Sequence, residues 1–101
     1  MNKSEFKSSI SNQSPSKFLP KALLALWRHK KGDWDKAHTI VQSENTTCCA
    51  WVHALLHREK GDVGNASYWY ERAQQITPNK TIEHEWDAIV SELLEQLTPI
   101  E

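Results

Sequence analysis

Two Gly-Asp pairs in closely similar surroundings limit the folds open to this chain. They occur in the stretches RHKKGDWDKAHTIV and HREKGDVGNASYWY, and in each stretch an alanine, Ala37 or Ala66, follows the glycine by five residues. Glycine readily takes the left-handed conformation that ends a helix, and aspartate is a favoured N-cap of the next helix. The internal repeat therefore predicts two helical hairpins, each with a Gly-Asp pair in its turn.

The apolar residues recur at steps of three and four along the chain, and no stretch alternates as a half-buried strand would. The last helix is amphipathic, because its apolar face is opposed by an acidic face that includes Glu83 and Glu85 in the first turn. A helix of this kind is suited to closing the end of a stack. The predicted all-α chain has helices over about 19–31, about 34–43, from a cap at Thr46 or Thr47 to Gly61, from a cap at Asp62 to about Ile76, and about 82–97.

The first 17 residues differ in composition from the rest of the chain. They are rich in Ser, Asn, Gln and Lys, and Met1, Phe6 and Ile10 are their only larger apolar residues. Such a segment buries too little apolar surface to offset the entropy lost on ordering. We therefore expect a disordered tail over residues 1–17 and one helical domain over residues 18–101.

The overall charge and the apolar runs argue against several classes of protein. The formal net charge is −1, which argues against a nucleic-acid binder held by phosphate contacts. No apolar run has the length of a signal-peptide core or of a membrane span. The adjacent Cys48 and Cys49 cannot form an ordinary disulfide, because their Cα atoms are one peptide bond apart. We therefore expect a cytoplasmic protein with no nucleic-acid partner and no membrane association.

The second Gly-Asp stretch carries a more specific pattern of small and aromatic residues. Ala66 is followed by Tyr70, Ala73 and Pro78, in an Ala-x3-aromatic spacing with a closing proline. This pattern resembles the tetratricopeptide repeat, a helix-turn-helix unit, and the run through Trp69 also resembles the related Sel1-like repeats. The same stretch is similar to one in short bacterial proteins with no known activity.

The resemblance implies two antiparallel helical hairpins of tetratricopeptide type, followed by the amphipathic C-terminal helix as a cap. Small residues allow helices to approach closely, and aromatic residues fill the gaps beside them. The chain departs from the family where His53 and His57 replace Leu and Tyr, and where the two glycines are 29 rather than about 34 residues apart. The residues assigned to packing within the repeats are Ala25, Gly32, Ala37, Ala54, Gly61, Ala66, Trp69, Tyr70, Ala73 and Pro78.

The resemblance also implies a function, since repeats of this type usually bind other proteins. In that family the first helix of each hairpin lines a concave surface, which here would have an aromatic floor and basic edges. Such a groove suits an extended or helical peptide that carries a carboxylate. The expected function is a small protein-protein interaction module, although the same residues could instead pack against the C-terminal helix or against a second copy in a structural homodimer. The residues predicted for this surface are Leu26, His29, Lys30, Trp51, Leu55 and Arg58.

Cys49, His53 and His57 follow one another at steps of four and therefore share one stripe of a helix. Two neighbours in this stripe can hold one metal ion, but the first and last are about 12 Å apart and cannot share it. A metal site at His53 and His57 is therefore an alternative that needs additional ligands. Packing is the favoured interpretation of the histidines, and no cofactor is predicted. The residues that could supply additional ligands are Asp62, Glu59 and His38.

The same stripe offers a candidate pair for catalysis. Cys49 and His53 could form an activated thiolate pair, but the apolar residues around them raise rather than lower a thiol pKa. The sequence also lacks a glycine-rich phosphate loop and a nucleophile elbow. We therefore do not expect the chain to be an enzyme.

Overall fold

Helices make up all of the regular secondary structure in residues 1–97, which are the residues that the computed structural model describes. This confirms the predicted all-α class. None of the helices in this range is long and apolar enough to span a membrane. The end of the predicted domain, 98–101, lies outside the described residues. The helices are α1 (Lys3–Ser9), α2 (Lys21–Lys30), α3 (Trp34–Gln42), α4 (Thr47–Glu59), α5 (Val63–Arg72) and α6 (Ile82–Leu97).

The two Gly-Asp turns have the predicted backbone. Gly32 and Gly61 have φ angles of 89° and 75°, in the left-handed region. Helix α2 packs against α3, and α4 packs against α5. Asp33 caps α3 by accepting the Lys36 backbone N–H at 3.1 Å. Asp62 holds the N-cap position of α5, but its side chain makes no capping hydrogen bond.

Helix α5 ends at Arg72, earlier than predicted. In the turn that ends it, Gln74 has a φ of 60° and the Gln75 backbone N–H donates to the Tyr70 carbonyl at 2.9 Å. The sequence placed the end near Ile76, because the later proline is the visible stop signal there. A glutamine with left-handed backbone angles cannot be recognised from the sequence as a helix end, whereas a glycine at such a position can.

Helix α6 lies across α2 and α4 and forms the core with them. Its Trp86 indole N–H donates to the Leu26 carbonyl at 3.0 Å. The predicted apolar face is therefore buried against the first helices of both hairpins. The residues buried on α6 are Glu85, Trp86, Ile89, Val90, Leu93 and Leu94.

The alanines assigned to the repeats are buried, whereas Gly32 and Gly61 are exposed in the turns. Trp69 and Pro78 are half-buried. These positions fit close packing of the helices, whereas membership of the tetratricopeptide family stays a prediction. The assigned residues that are no more than 5% exposed are Ala25, Ala37, Ala54, Ala66, Tyr70 and Ala73.

The N-terminal segment differs from the predicted disordered tail. Residues 3–9 form α1, which begins with a capping box between Asn2 and Glu5. Phe6 on this helix is fully buried, and its ring centroid lies 5.9 Å from that of Trp86. Composition averaged over the whole segment hides this contact, because a single aromatic side chain buries enough apolar area to dock a short helix.

Replacing Phe6 with alanine tests whether α1 belongs to the folded domain. We expect Phe6→Ala to lower the free energy of unfolding by about 3 kcal/mol, because a fully buried aromatic side chain is lost from the core. Urea unfolding followed by circular dichroism measures the change. Ser8→Ala, at an exposed site on the same helix, is the control and should stay within about 0.5 kcal/mol of the wild type. Equal stability of Phe6→Ala and the wild type would show that α1 is not docked.

Candidate metal centre

Three histidines meet beside α4 and are called the histidine cluster below. His53 and His57 lie one turn apart on α4, and His38 reaches them from α3. One ring nitrogen of each lies within 4.8 Å of the other two. The Nε2 atoms of His38 and His53 are 3.0 Å apart. The sequence pairs His53 with His57, and the fold adds His38 as the third member.

The packing of α3 brings His38 into the cluster. Ala37 and Val41 are buried and hold α3 against the core. His38 follows Ala37, is half-buried, and has its ring edge-on to the rings of His53 and His57. On α4, the spacing of four residues puts the other two rings on one side, stacked with centroids 5.0 Å apart.

Two tryptophan rings fix the orientation of the imidazoles. Trp34 stacks on His38 with ring centroids 4.9 Å apart, and Trp69 stacks on His53 with centroids 4.0 Å apart. The Trp34 ring is itself held, because its indole N–H donates to the Leu56 carbonyl at 3.0 Å. The imidazoles are therefore oriented by packing before any ligand binds, as a preorganised site requires.

The surroundings keep His38 and His53 neutral at neutral pH. Burial lowers the pKa of His53 to about 4, and the neighbouring His38 and His57 act in the same direction. Burial also lowers the pKa of His38. The Nδ1 atom of His53 is buried and has no hydrogen-bond partner among the described residues. Neutral imidazole is the form that binds metal ions, so these two rings need no deprotonation to do so.

A carboxylate lies beside the third histidine. The Oδ2 atom of Asp62 is 3.6 Å from the Nδ1 atom of His57 and accepts the Asn65 side-chain N–H at 2.8 Å. Ligating histidines commonly have such a carboxylate near the ring nitrogen that does not bind the metal, and it orients the ring. Asp62 therefore lies beside His57 without hydrogen-bonding to it in the metal-free protein, since 3.6 Å is too long for a hydrogen bond.

The other residues that the sequence connected with this stripe lie elsewhere. Glu59 binds the His29 ring, with 3.0 Å between Oε1 and Nε2. Cys49 is buried in the core, where burial raises the pKa of its thiol. Of the three residues named as additional ligands, the fold brings His38 into the cluster, places Asp62 beside it and leaves Glu59 out.

Four of the six residues predicted for a protein partner's surface lie in the core or bind α6. Leu26 and Leu55 are fully buried in the core. Arg58 and Trp51 donate to the Glu85 carboxylate on α6, from Nη2 at 3.0 Å and from Nε1 at 3.3 Å. The predicted exposure of these residues differs from the structure, because the resemblance does not indicate where the C-terminal helix docks. The sequence also offered the alternative that these residues pack against the C-terminal helix, and Trp51 and Arg58 do so.

Glu85 is the residue of this network that sequence reasoning missed. The sequence places it on the wet face of α6, but it is buried, and the Tyr70 hydroxyl also lies 2.7 Å from both of its oxygens. His29, from the predicted partner surface, is half-buried against Glu59. Lys30 is the one residue of that surface that stays exposed, with its Nζ 4.6 Å from the Trp86 ring centroid.

Comparisons with known proteins supply no family for this chain. It matches no protein-family model, no curated protein and no solved structure. The fold and the site define a small all-α protein with a histidine cluster between its helices. A functional proposal therefore rests on the chemistry of that cluster.

The lowered pKa of His53 predicts that the metal-free protein loses stability in mild acid. The unfolded chain binds a proton at this side chain below the ordinary pKa of 6.5, whereas the folded chain does so only near a pKa of about 4. The free energy of unfolding should therefore fall as the pH drops from 6.5 to about 4. Urea unfolding with a chelator present, at several pH values in this range, measures the loss. His53→Gln should show a shallower pH dependence than the wild type, and an equal slope would refute this assignment.

Proposed function

We propose that the protein binds a divalent transition-metal ion, with zinc as the first candidate, through His38, His53 and His57. The observation that supports this is the close approach of one ring nitrogen from each residue, all within 4.8 Å. In a tetrahedral site with Zn–N bonds of about 2.0–2.1 Å, ligand nitrogens are about 3.4 Å apart. The 3.0 Å between the Nε2 atoms of His38 and His53 is close to that value. In the metal-free protein one of these two rings donates a hydrogen bond to the other, so a bound ion would replace the shared proton.

The ligand type selects the class of metal. Imidazole nitrogen suits zinc, copper, nickel and iron, whereas calcium and magnesium prefer oxygen ligands. Among the described residues, the close-set ligand atoms belong to histidines alone. Three protein ligands leave one coordination position open, as in zinc sites that bind water or a substrate. The proposal is therefore of an open site rather than a closed structural one.

Simple packing is the competing explanation of the cluster. Packing accounts for the stacked rings, but burying polar rings is costly where a hydrogen bond is missing. Such a cost is present at the Nδ1 atom of His53. An apolar side chain would fill the same space without burying a polar atom, so packing alone does not explain why three histidines meet here.

A bound metal would join the two hairpins. His38 belongs to α3 in the first hairpin, and the other two histidines belong to α4 in the second. A ligand that binds only the folded state stabilises it, by about 2.7 kcal/mol at a hundredfold excess over Kd. Zinc should therefore raise the midpoint of thermal unfolding.

Association with another protein, as the tetratricopeptide resemblance implies, is the second proposal that the sequence offers. Four of its six predicted surface residues are in the core or bound to Glu85 of α6. We prefer metal binding, because the fold brings the three histidines together, whereas it buries or engages most residues of the predicted partner surface.

Titration of the untagged protein with zinc tests the proposal. We expect one equivalent to bind. His38→Gln, His53→Gln and His57→Gln should each weaken binding by at least about a hundredfold, because each removes one of three ligands. Asp62→Asn should weaken binding by roughly tenfold or more, since this carboxylate orients a ligand. Isothermal titration calorimetry measures the affinities, and thermal unfolding measures the stabilisation.

His84→Gln is the matched control for these variants. His84 is an exposed histidine on α6 and does not belong to the cluster. This variant should bind zinc as the wild type does. Circular dichroism establishes that each variant is folded before titration. Sub-stoichiometric binding by the wild type, or losses in His84→Gln equal to those of the cluster variants, would rule the proposal out.

A further inference from the structure

The proposed metal centre has an uncompensated charge. Its ligands are three neutral imidazoles, so a divalent ion bound there keeps its full positive charge. Thiolate or carboxylate ligands would neutralise part of this charge, and here one coordination position also remains open. The electrostatic preference at that position is therefore for an anion.

Two basic side chains add to the positive potential around the cluster. The Nζ atom of Lys60 lies 5.0 Å from the Trp34 ring centroid, and the Cζ atom of Arg72 lies 5.6 Å from the Trp69 ring centroid. These two indoles also stack on His38 and His53, so each cation contacts a ring that packs against the cluster. Charges so placed attract an approaching anion without binding the metal themselves.

The carboxylates that influence the cluster are not in place as a fourth ligand. Asp62 is engaged by Asn65 and lies beside the Nδ1 atom of His57. Asp35 is exposed and acts on His38 through its charge. Within residues 1–97, the close-set ligand atoms include neither carboxylate. With neither carboxylate among the close-set ligand atoms of residues 1–97, the fourth position is open to a ligand from solution.

The cluster is accessible from one side. His38 and His57 are half-buried, and 14% of the His57 side chain is exposed. His53, by contrast, is only 3% exposed. The two half-buried histidines are therefore the members of the cluster nearest to solvent, and an external ligand would approach from their side.

We propose that the metal centre takes an anionic oxygen ligand from solution, a small carboxylate or phosphate, at its open position. This inference rests on the proposed metal binding. It assigns Lys60 and Arg72 the role of attracting the anion, while the histidine cluster holds the ion.

Cobalt(II) is the reporter for the test, because it occupies nitrogen sites of the zinc type and its visible absorption depends on the number and type of its ligands. The untagged protein is loaded with one equivalent of cobalt and titrated with acetate or with inorganic phosphate. We expect saturable changes in the visible spectrum with both anions. Acetamide, which matches acetate in size but has no charge, should leave the spectrum unchanged.

The double variant Lys60→Gln/Arg72→Gln tests the basic residues. It should bind cobalt as tightly as the wild type but bind acetate about two- to tenfold more weakly, as expected for the loss of two exposed charges. Lys17→Gln is the matched control, since Lys17 is exposed and contacts neither indole. Unchanged acetate affinity in the double variant would overturn the role given to the two cations.

The possible outcomes separate this inference from the proposed function. A cobalt spectrum that neither anion changes would overturn the anion inference and leave metal binding in place. The absence of any cobalt spectrum would overturn both. An anion response seen only in Asp35→Asn or Asp62→Asn would show that a carboxylate of the chain holds the fourth position, which also overturns the inference.

Discussion

The arrangement of the helices depends on one buried carboxylate. Glu85 is 2% exposed and accepts hydrogen bonds from Arg58, Tyr70 and Trp51. A buried charge without such partners is strongly unfavourable, and removing one member of a buried ion pair typically costs about 3–5 kcal/mol. Because the donors lie on α4 and α5 while Glu85 lies on α6, this carboxylate fixes α6 on the second hairpin. Trp51 and Arg58, which were predicted to face a partner, are thereby bound to α6.

Helix α4 is consequently enclosed by other helices, and its two sides have different roles. Val52, Leu55 and Leu56 are fully buried in the core that α2 and α6 complete. His53 and His57 lie on the side where the indoles of α3 and α5 stack on the histidine cluster. The apolar side therefore places α4, and the packing of α3 against α4 assembles the cluster. The geometry of the histidine cluster is in this sense a product of core packing.

Features that depend on neighbours in the sequence could be predicted. The Gly-Asp turns and the amphipathic α6 follow from local patterns, and the pairing of His53 with His57 follows from one turn of helix. Features that depend on the docking of distant helices could not be predicted. The sequence names His38 only as one of three possible additional ligands, and the packing of α3 on α4 selects it. Phe6 docks α1 through a contact with the core that the sequence did not predict. Glu85 has the pattern of an exposed first-turn acid, and only the converging donors explain its burial. A single sequence carries no signal for such contacts.

A crystal structure of the zinc-loaded protein, with anomalous diffraction data at the zinc absorption edge, tests the metal centre most directly. We predict one anomalous peak between α3 and α4, with nitrogen atoms of His38, His53 and His57 at about 2.0–2.1 Å from the zinc. A zinc peak at other residues would contradict the proposed centre. So would the absence of a peak in a structure where the Nε2 atoms of His38 and His53 keep their 3.0 Å contact.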